Sequence, residues 1–217
     1  MCGRYVPLTD DEITQMRLII KDISHKLASD GAYTHQIVPQ EVAPTNRTSV
    51  VTGNGDDLQF EHAMFGFECW DGKGVIINAR AETIKQKSMF ANHVQQRRCI
   101  IPASGYFEWQ TQENQKKKIK HLVKGKHEKL LYMAGLYRDG SNGREFVIIT
   151  KDPTGDMADI HDRMPVILKV EQVGPWLNGA MPIEELASLD YECMAKPCET
   201  PETNNNDYKQ LTLDLLE

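Results

Sequence analysis

The chain has 217 residues, 40% hydrophobic and 26% charged, globular proportions over a length that suits one domain with a sizeable core, so collagen, coiled coil and wholesale disorder are excluded. No apolar run approaches the roughly 20 residues of a membrane span, and MCGRYVPLTDDE lacks the apolar stretch of a secretory leader, so a cytoplasmic protein making no membrane contact is expected. The net charge of −6, taken over the whole chain, disfavours nucleic acid, because phosphate binding needs positive charge.

Thr9-Asp-Asp-Glu12 forms a capping box. Ile13, Met16, Ile20, Ile23 and Leu27 follow at helical spacing, which predicts an amphipathic helix over 10–29 that ends near Gly31. From Thr48 the pattern turns to short β-type runs broken by Gly, Pro and Asn. Strands are expected at 48–52, 58–65, 74–78, 98–108, 129–138, 144–150 and 164–169, with Asp139-Gly-Ser-Asn-Gly143 as the loop of a hairpin. Short helices are expected at 82–94, 154–160, 171–177 and 183–189. Many short strands with a few peripheral helices predict an α+β fold, a single compact β-rich domain built on a barrel-like mixed sheet, not a doubly wound α/β fold. The domain is placed at 1–198, with 199–217 as an acidic, poorly ordered tail.

Charge is unevenly spread. Residues 182–217 carry nine acidic side chains against two lysines, −7, which leaves +1 for residues 1–181. The deficit belongs to the tail, so the objection to nucleic acid falls away for the body of the chain. Seven lysines and one glutamate crowd residues 115–130, a run that reads as a solvated hairpin tip.

The cysteines are Cys2, Cys69, Cys99, Cys193 and Cys198. Their odd number and the lack of a CxxC pair argue against a disulfide framework. Cys193 and Cys198 lack the second close ligand pair of a structural zinc site. No metal or organic cofactor is expected. Cys99, in RRCIIPA, reads as a small buried hydrophobe. Cys2 differs, because removal of Met1 would make it the N-terminal residue, with a thiol and an α-amine on adjacent carbons. That amine has a pKa of about 7.7–8.0, so part of it is neutral and nucleophilic at neutral pH. A 1,2-aminothiol condenses with an aldehyde to an imine and then closes a thiazolidine ring. The same group also serves as an N-terminal nucleophile in amide hydrolysis.

Four segments combine polar residues with strand or turn context. They are Met1-Cys-Gly-Arg-Tyr5; Ile77-Asn-Ala-Arg-Ala-Glu-Thr83, whose Asn78, Arg80 and Glu82 share a face when extended; Arg98-Cys-Ile-Ile-Pro-Ala-Ser-Gly-Tyr-Phe-Glu-Trp109, an apolar strand ending in Glu108; and Ile160-His-Asp-Arg-Met-Pro-Val-Ile167, where His161 and Arg163 precede a second apolar run. Singly, each has an ordinary explanation: a strand-end ion pair for Glu108, a turn histidine for His161, a turn former for Asn78.

Together, MCGRY, INARAET, RRCIIPASGYFEW, AGLY and IHDRMPVIL, in this order and spacing, closely resemble the SOS response-associated peptidase (SRAP) family, abasic-site processing proteins that cross-link covalently to DNA. The resemblance runs from Met1 to about Trp176. It implies a compact β-rich domain with a DNA groove, acting as a monomer on single-stranded DNA that contains an abasic site, and nucleoid-associated when bound to damaged DNA. It implies that Cys2, freed of Met1, is the nucleophile, that Asn78 positions the N-terminal residue or the opened sugar, that Glu108 is a general acid/base near the α-amine, and that His161 assists ring opening and proton transfer. Arg4, Arg80 and Arg163 match phosphate-holding positions, and Trp70 matches a base-stacking one. Peptidase action on the residue preceding Cys2, and lyase action by β-elimination from the imine, are further implications. The chain departs from the family where Phe65-Gly-Phe-Glu-Cys-Trp70 stands for WGL-(I/V)-P-x-W, and where Val38-Pro-Gln-Glu-Val-Ala-Pro44 replaces an aromatic-Asn before Val-Ala-Pro. The residues alone leave two alternatives open: an N-terminal-nucleophile thiol peptidase, and a non-catalytic single-strand binder relying on Trp70 and the arginines.

Overall fold

A computed structural model of the chain describes residues 2–23, 41–54, 57–112 and 117–198. The first half contains β1 (Arg4–Val6), α1 (Asp10–Ile23), β2 (Arg47–Asn54), β3 (Asp57–Phe65), β4 (Phe67–Glu68), β5 (Val75–Ile76), β6 (Asn78–Arg80), a 3₁₀ helix (Ala81–Gln86) and α2 (Ser88–Gln96). Then come β7 (Arg98–Ala103), β8 (Gly105–Gln110), β9 (Ile119–Gly125), β10 (Leu131–Gly140), β11 (Gly143–Lys151) and a 3₁₀ turn (Gly155–Asp159). Last are β12 (Met164–Pro165), β13 (Ile167–Leu168), α3 (Val170–Leu177), a 3₁₀ helix (Ile183–Ser188) and β14 (Cys193–Pro197).

Strands β11, β3, β2, β7 and β10 follow one another by hydrogen bonding, and β10 pairs back to β11, so these five close into a barrel. The barrel is mixed: β11 runs parallel to β3, with Phe146 opposite Phe65, and the other pairings are antiparallel. Alternation along each strand sorts the apolar residues into two cores. Val50, Ala63, Phe65, Cys99, Ile101, Met133, Phe146 and Ile148 fill the interior. Val51, Ile100, Ala134, Val147 and Ile149 face outward, against Ile13 and Met16 of α1, Phe90 and Val94 of α2 and Trp176 of α3. Gly135 sits where a Cβ would come within 2.3 Å of Ile101 Cδ1 and 2.7 Å of the Val147 carbonyl oxygen, so the barrel closes only with glycine there. The expected β-rich α+β domain with a barrel-like mixed sheet and peripheral helices is the fold observed.

A second, four-stranded sheet runs β1-β8-β9-β14 and caps the barrel. It contains the main departures from the expected elements. The apolar run at 98–108 is two strands in different sheets: the chain leaves the barrel at Ser104, whose N–H donates to the Val6 carbonyl at 3.0 Å. Apolar composition cannot reveal such a switch, because both halves are buried. The lysine-rich run is a hairpin tip only in part: exposed Lys117 and Lys118 lie in the connection from β8 to β9, and the run then continues into a strand. Ile119–Gly125 lies between β8 and β14, with His121 and Val123 buried while Lys120 and Lys124 face out; these two lysines occupy the solvent side of an alternating strand. Edge strand β14 ends in Pro197, consistent with proline's confinement to edges.

Smaller differences have local causes. The helix expected at 82–94 is a 3₁₀ helix and an α-helix separated by extended Lys87; Ala81 and Ile84 are buried at a spacing of three, Phe90 and Val94 at four. The 139–143 loop tightens to a turn at Ser141–Asn142, closed by the Gly140–Gly143 pair, with Gly143 at φ 101°, a conformation that favours glycine. The expected strands at 74–78 and 164–169 are each split into two. Residues 24–29 of the expected first helix, and the expected tail 199–217, lie outside the described residues.

Candidate active site

The site lies where β1 enters the capping sheet. The β1–β8 register pairs Arg4 with Phe107 and Tyr5 with Tyr106; one step further sets Gly3, with no side chain, opposite Glu108. Cys2 is fully buried, within the same cluster as Tyr5, Phe65 and Ile148. Asn78 reaches it from the barrel side. Parallel pairing of β6 with β11 sets Asn78 against Ile148, and its amide donates to the Cys2 carbonyl at 3.2 Å and the Ile148 carbonyl at 3.4 Å. Its Oδ1 is buried and accepts no hydrogen bond among the described residues, which leaves an acceptor for a hydroxyl or amine.

Glu108 is 1% exposed. Burial pushes its carboxyl above the ordinary 4.5, against the downward pull of the amino-terminal positive charge. His161 follows the Gly155–Asp159 turn, its N–H bonded to the Met157 carbonyl at 3.0 Å, and sets Nε2 3.8 Å from Glu108 Oε2. Two contacts at Nδ1 pull in opposite directions: the Arg163 backbone N–H donates to it at 3.1 Å, while Asp162 Oδ1, 2.6 Å away, would need a proton there. The amide is fixed and the Asp162 carboxylate is solvated, so we assign Nδ1 as acceptor, which puts the proton on Nε2, toward Glu108. Burial lowers the His161 pKa below 6.5, so the ring is neutral at neutral pH. Burial first, and the Glu108 charge second, raise the Cys2 thiol well above its ordinary value. Cys2, Asn78, Glu108 and His161, scattered over 160 positions of sequence, thus converge on one point.

The expected DNA-facing residues divide. Arg80 is exposed two residues beyond Asn78; with Thr83, Lys87, Ser88 and Met89 the pair lines an open groove of about 490 Å³. Trp70, on the turn joining β4 to β5, is 96% exposed. Arg4 is exposed and pairs with Glu41 at 2.8 Å. Arg163 corrects the expectation. It is 7% exposed, and its guanidinium is bonded to both carboxylate oxygens of Glu82, to Asp152 and to the Thr150 carbonyl. An arginine so committed is an internal anchor, not a phosphate clamp; its contribution to the site is the backbone N–H that orients His161. Phe65, at the departure from the family pattern, points into the barrel and stacks on Phe146 at 5.1 Å. Sequence reasoning passed over Trp109 and Lys120, although alternation after buried Glu108 predicts Trp109 outside. No helix among the described residues is long and apolar enough to cross a membrane.

The chain belongs to the SOS response associated peptidase (SRAP) family, whose pattern matches residues 1–204. It is 44% identical over 190 residues to the abasic site processing protein YoaM of Bacillus subtilis, covering 82% of this chain and 79% of that one. It is 27% identical over 194 residues to the abasic site processing protein YedK of Escherichia coli, covering 87% and 85%. A crystal structure of a Bacteroides thetaiotaomicron protein superimposes with a TM-score of 0.72 at 26% identity, covering 91% of this chain and 92% of that one.

Proposed function

We propose that this protein processes abasic sites in single-stranded DNA by bonding to them covalently through Cys2 once Met1 has been removed. The observation that carries this reading is the convergence of Asn78, Glu108 and His161 on the residue that removal of Met1 would make N-terminal. The names of the relatives supply the substrate.

The chemistry balances without a cofactor. The neutral α-amine adds to C1′ of the ring-opened sugar to give a carbinolamine, which loses one water to form an imine. The Cys2 thiol adds across the C=N bond, sulfur to carbon and proton to nitrogen, closing a thiazolidine. Glu108, with its raised pKa, holds a proton to deliver to the departing hydroxyl and takes one back from the thiol. His161, with its proton on Nε2, donates to the sugar ring oxygen as the hemiacetal opens, and Asn78 Oδ1 accepts from a sugar hydroxyl. Arg4 and Arg80 hold flanking phosphates, and Trp70 stacks on a neighbouring base. Release of Met1 is hydrolysis of one peptide bond by the same groups, and an imine that loses its β-phosphate instead of closing gives strand cleavage.

The test is a denaturing gel of full-length protein mixed with single-stranded DNA carrying one abasic site, with intact mass establishing loss of Met1. A shifted band that survives denaturation and is lost in Cys2→Ala is expected. Peptide cleavage without an adduct would replace this reading with a thiol peptidase, and salt-sensitive, non-covalent binding unchanged in Cys2→Ala with a simple single-strand binder.

A further inference from the structure

The four-stranded sheet has a second face. Its inner side buries Tyr106, Glu108, His121 and Val123; its outer side carries Phe107 and Trp109 on β8, Lys120 and Lys124 on β9, and Lys196 on β14, all half-buried or exposed. Arg4 stands across from Phe107 on β1. Phe107 and Trp109 are two residues apart on one strand, so their rings stand about 7 Å apart on the same face. Cations lie against both: Lys120 Nζ is 3.9 Å from the Phe107 ring centre and 5.5 Å from that of Trp109, and the Arg4 guanidinium is 5.8 Å from Trp109. Among the described residues, Glu41 is the carboxylate that pairs with Arg4 and Lys120; Lys124 and Lys196 extend the positive charge beyond it.

We propose that this outer face docks the single strand as it leaves the site, with bases stacking on Phe107 and Trp109 and phosphates held by Lys120, Lys124 and Lys196. The proposal rests on the DNA reading above. Two features commit it to that occupant. The surface is continuous with the site, since Trp109 follows Glu108 directly and Arg4 is two residues from Cys2. Aromatic rings interleaved with cations on an open sheet match alternating bases and phosphates; a phosphate replaces Glu41 on Lys120 and Arg4, and a base replaces the cation over each ring.

The experiment uses the full chain and single-stranded oligonucleotides with one central abasic site, one of about five nucleotides and one of about twenty. Binding is measured by anisotropy under conditions that precede adduct formation. Phe107→Ser is expected to bind the long strand about tenfold more weakly. The double variant Lys124→Ala/Lys196→Ala is expected to lower the magnitude of its log-affinity against log-salt slope by about 1.4. Both should match wild type on the short strand and in final adduct yield at saturating DNA. The exposed lysine pair keeps the test valid should Phe107→Ser unfold. If wild type forms its Cys2-dependent adduct and the lysine variant binds the long strand with unchanged affinity and slope, the surface is wrong. If the variants weaken binding as expected but wild type forms no adduct, the surface stands and the covalent reading falls.

Discussion

Arg98 and Glu108 lie ten residues apart in one apolar stretch, both almost wholly buried, and their surroundings are opposite. Arg98 Nε donates to the Val94 carbonyl at 2.7 Å, and Nη1 donates to the Trp176 and Met181 carbonyls at 3.2 and 2.7 Å. Its guanidinium lies 4.4 Å from the Trp176 ring centre, and the Trp176 indole N–H donates to the Cys99 carbonyl at 3.0 Å. These fixed partners compensate the buried charge and tie α2, α3 and the segment after it to β7. Glu108 instead faces groups that titrate, His161 and Cys2, and burial moves each of the three toward its neutral form. A buried charge with rigid dipoles around it holds a fold together; a buried carboxyl among other titratable groups is placed to exchange protons in the proposed reaction.

The comparison can be broken by substitution, beginning with the largest effect. Cys2→Ala should abolish the denaturation-resistant adduct while leaving the urea midpoint within a few tenths of a molar of wild type, since it removes the nucleophile but little volume. Glu108→Gln should slow adduct formation about 10²–10⁴-fold, read from gel time courses, without loss of stability. The sign follows from linkage: the folded-state pKa lies above the ordinary 4.5, so below 4.5 both states hold the proton. As pH rises through the folded value the native state must bury a charge, and stability falls. Glu108→Gln should therefore gain on wild type in chemical denaturation as pH climbs from about 4.5 through the raised folded-state value, and a parallel pH dependence would remove the distinction from Arg98.

Arg98→Ala should show the converse. It leaves three carbonyls without their donor and should cost about 3 kcal/mol in urea unfolding, with the adduct rate per folded molecule unchanged. A slowed rate at full stability would show that the two centres are coupled. The smallest effect is expected at Trp70, 96% exposed among the described residues: Trp70→Ala should leave thermal unfolding unmoved and weaken single-strand binding about tenfold, measured by anisotropy.

Much of this was legible in the chain. The capping box at Thr9–Glu12 is formed, the Thr9 N–H donating to Glu12 Oε2 at 2.8 Å. The β10–β11 hairpin, α3 and the β-rich α+β class follow from period and turn chemistry, which are local properties. The special position of Cys2, and of the segments around Asn78, Glu108 and His161, also follows from residue type and order.

What the sequence could not determine depends on which backbone passes which. The same apolar texture covers β7 and β8, yet the chain changes sheets between them, because burial dictates hydrophobicity and not partnership. Arg80 and Arg163 are both arginines beside site residues. Only the fold decides that one is exposed at a groove and the other enclosed by Glu82 and Asp152, since a charge several ångströms from its partner in space can be eighty residues from it in sequence. The same holds for the overall charge of −6: it counts every side chain equally, whereas the sheet gathers Arg4, Lys120, Lys124 and Lys196 onto one face. Residue chemistry was written in the chain; convergence was settled by packing, because the pairing of β1 with β8 in one sheet, the pairing of β6 with β11 in the other, and the turn before β12 together bring Cys2, Glu108, Asn78 and His161 to one point.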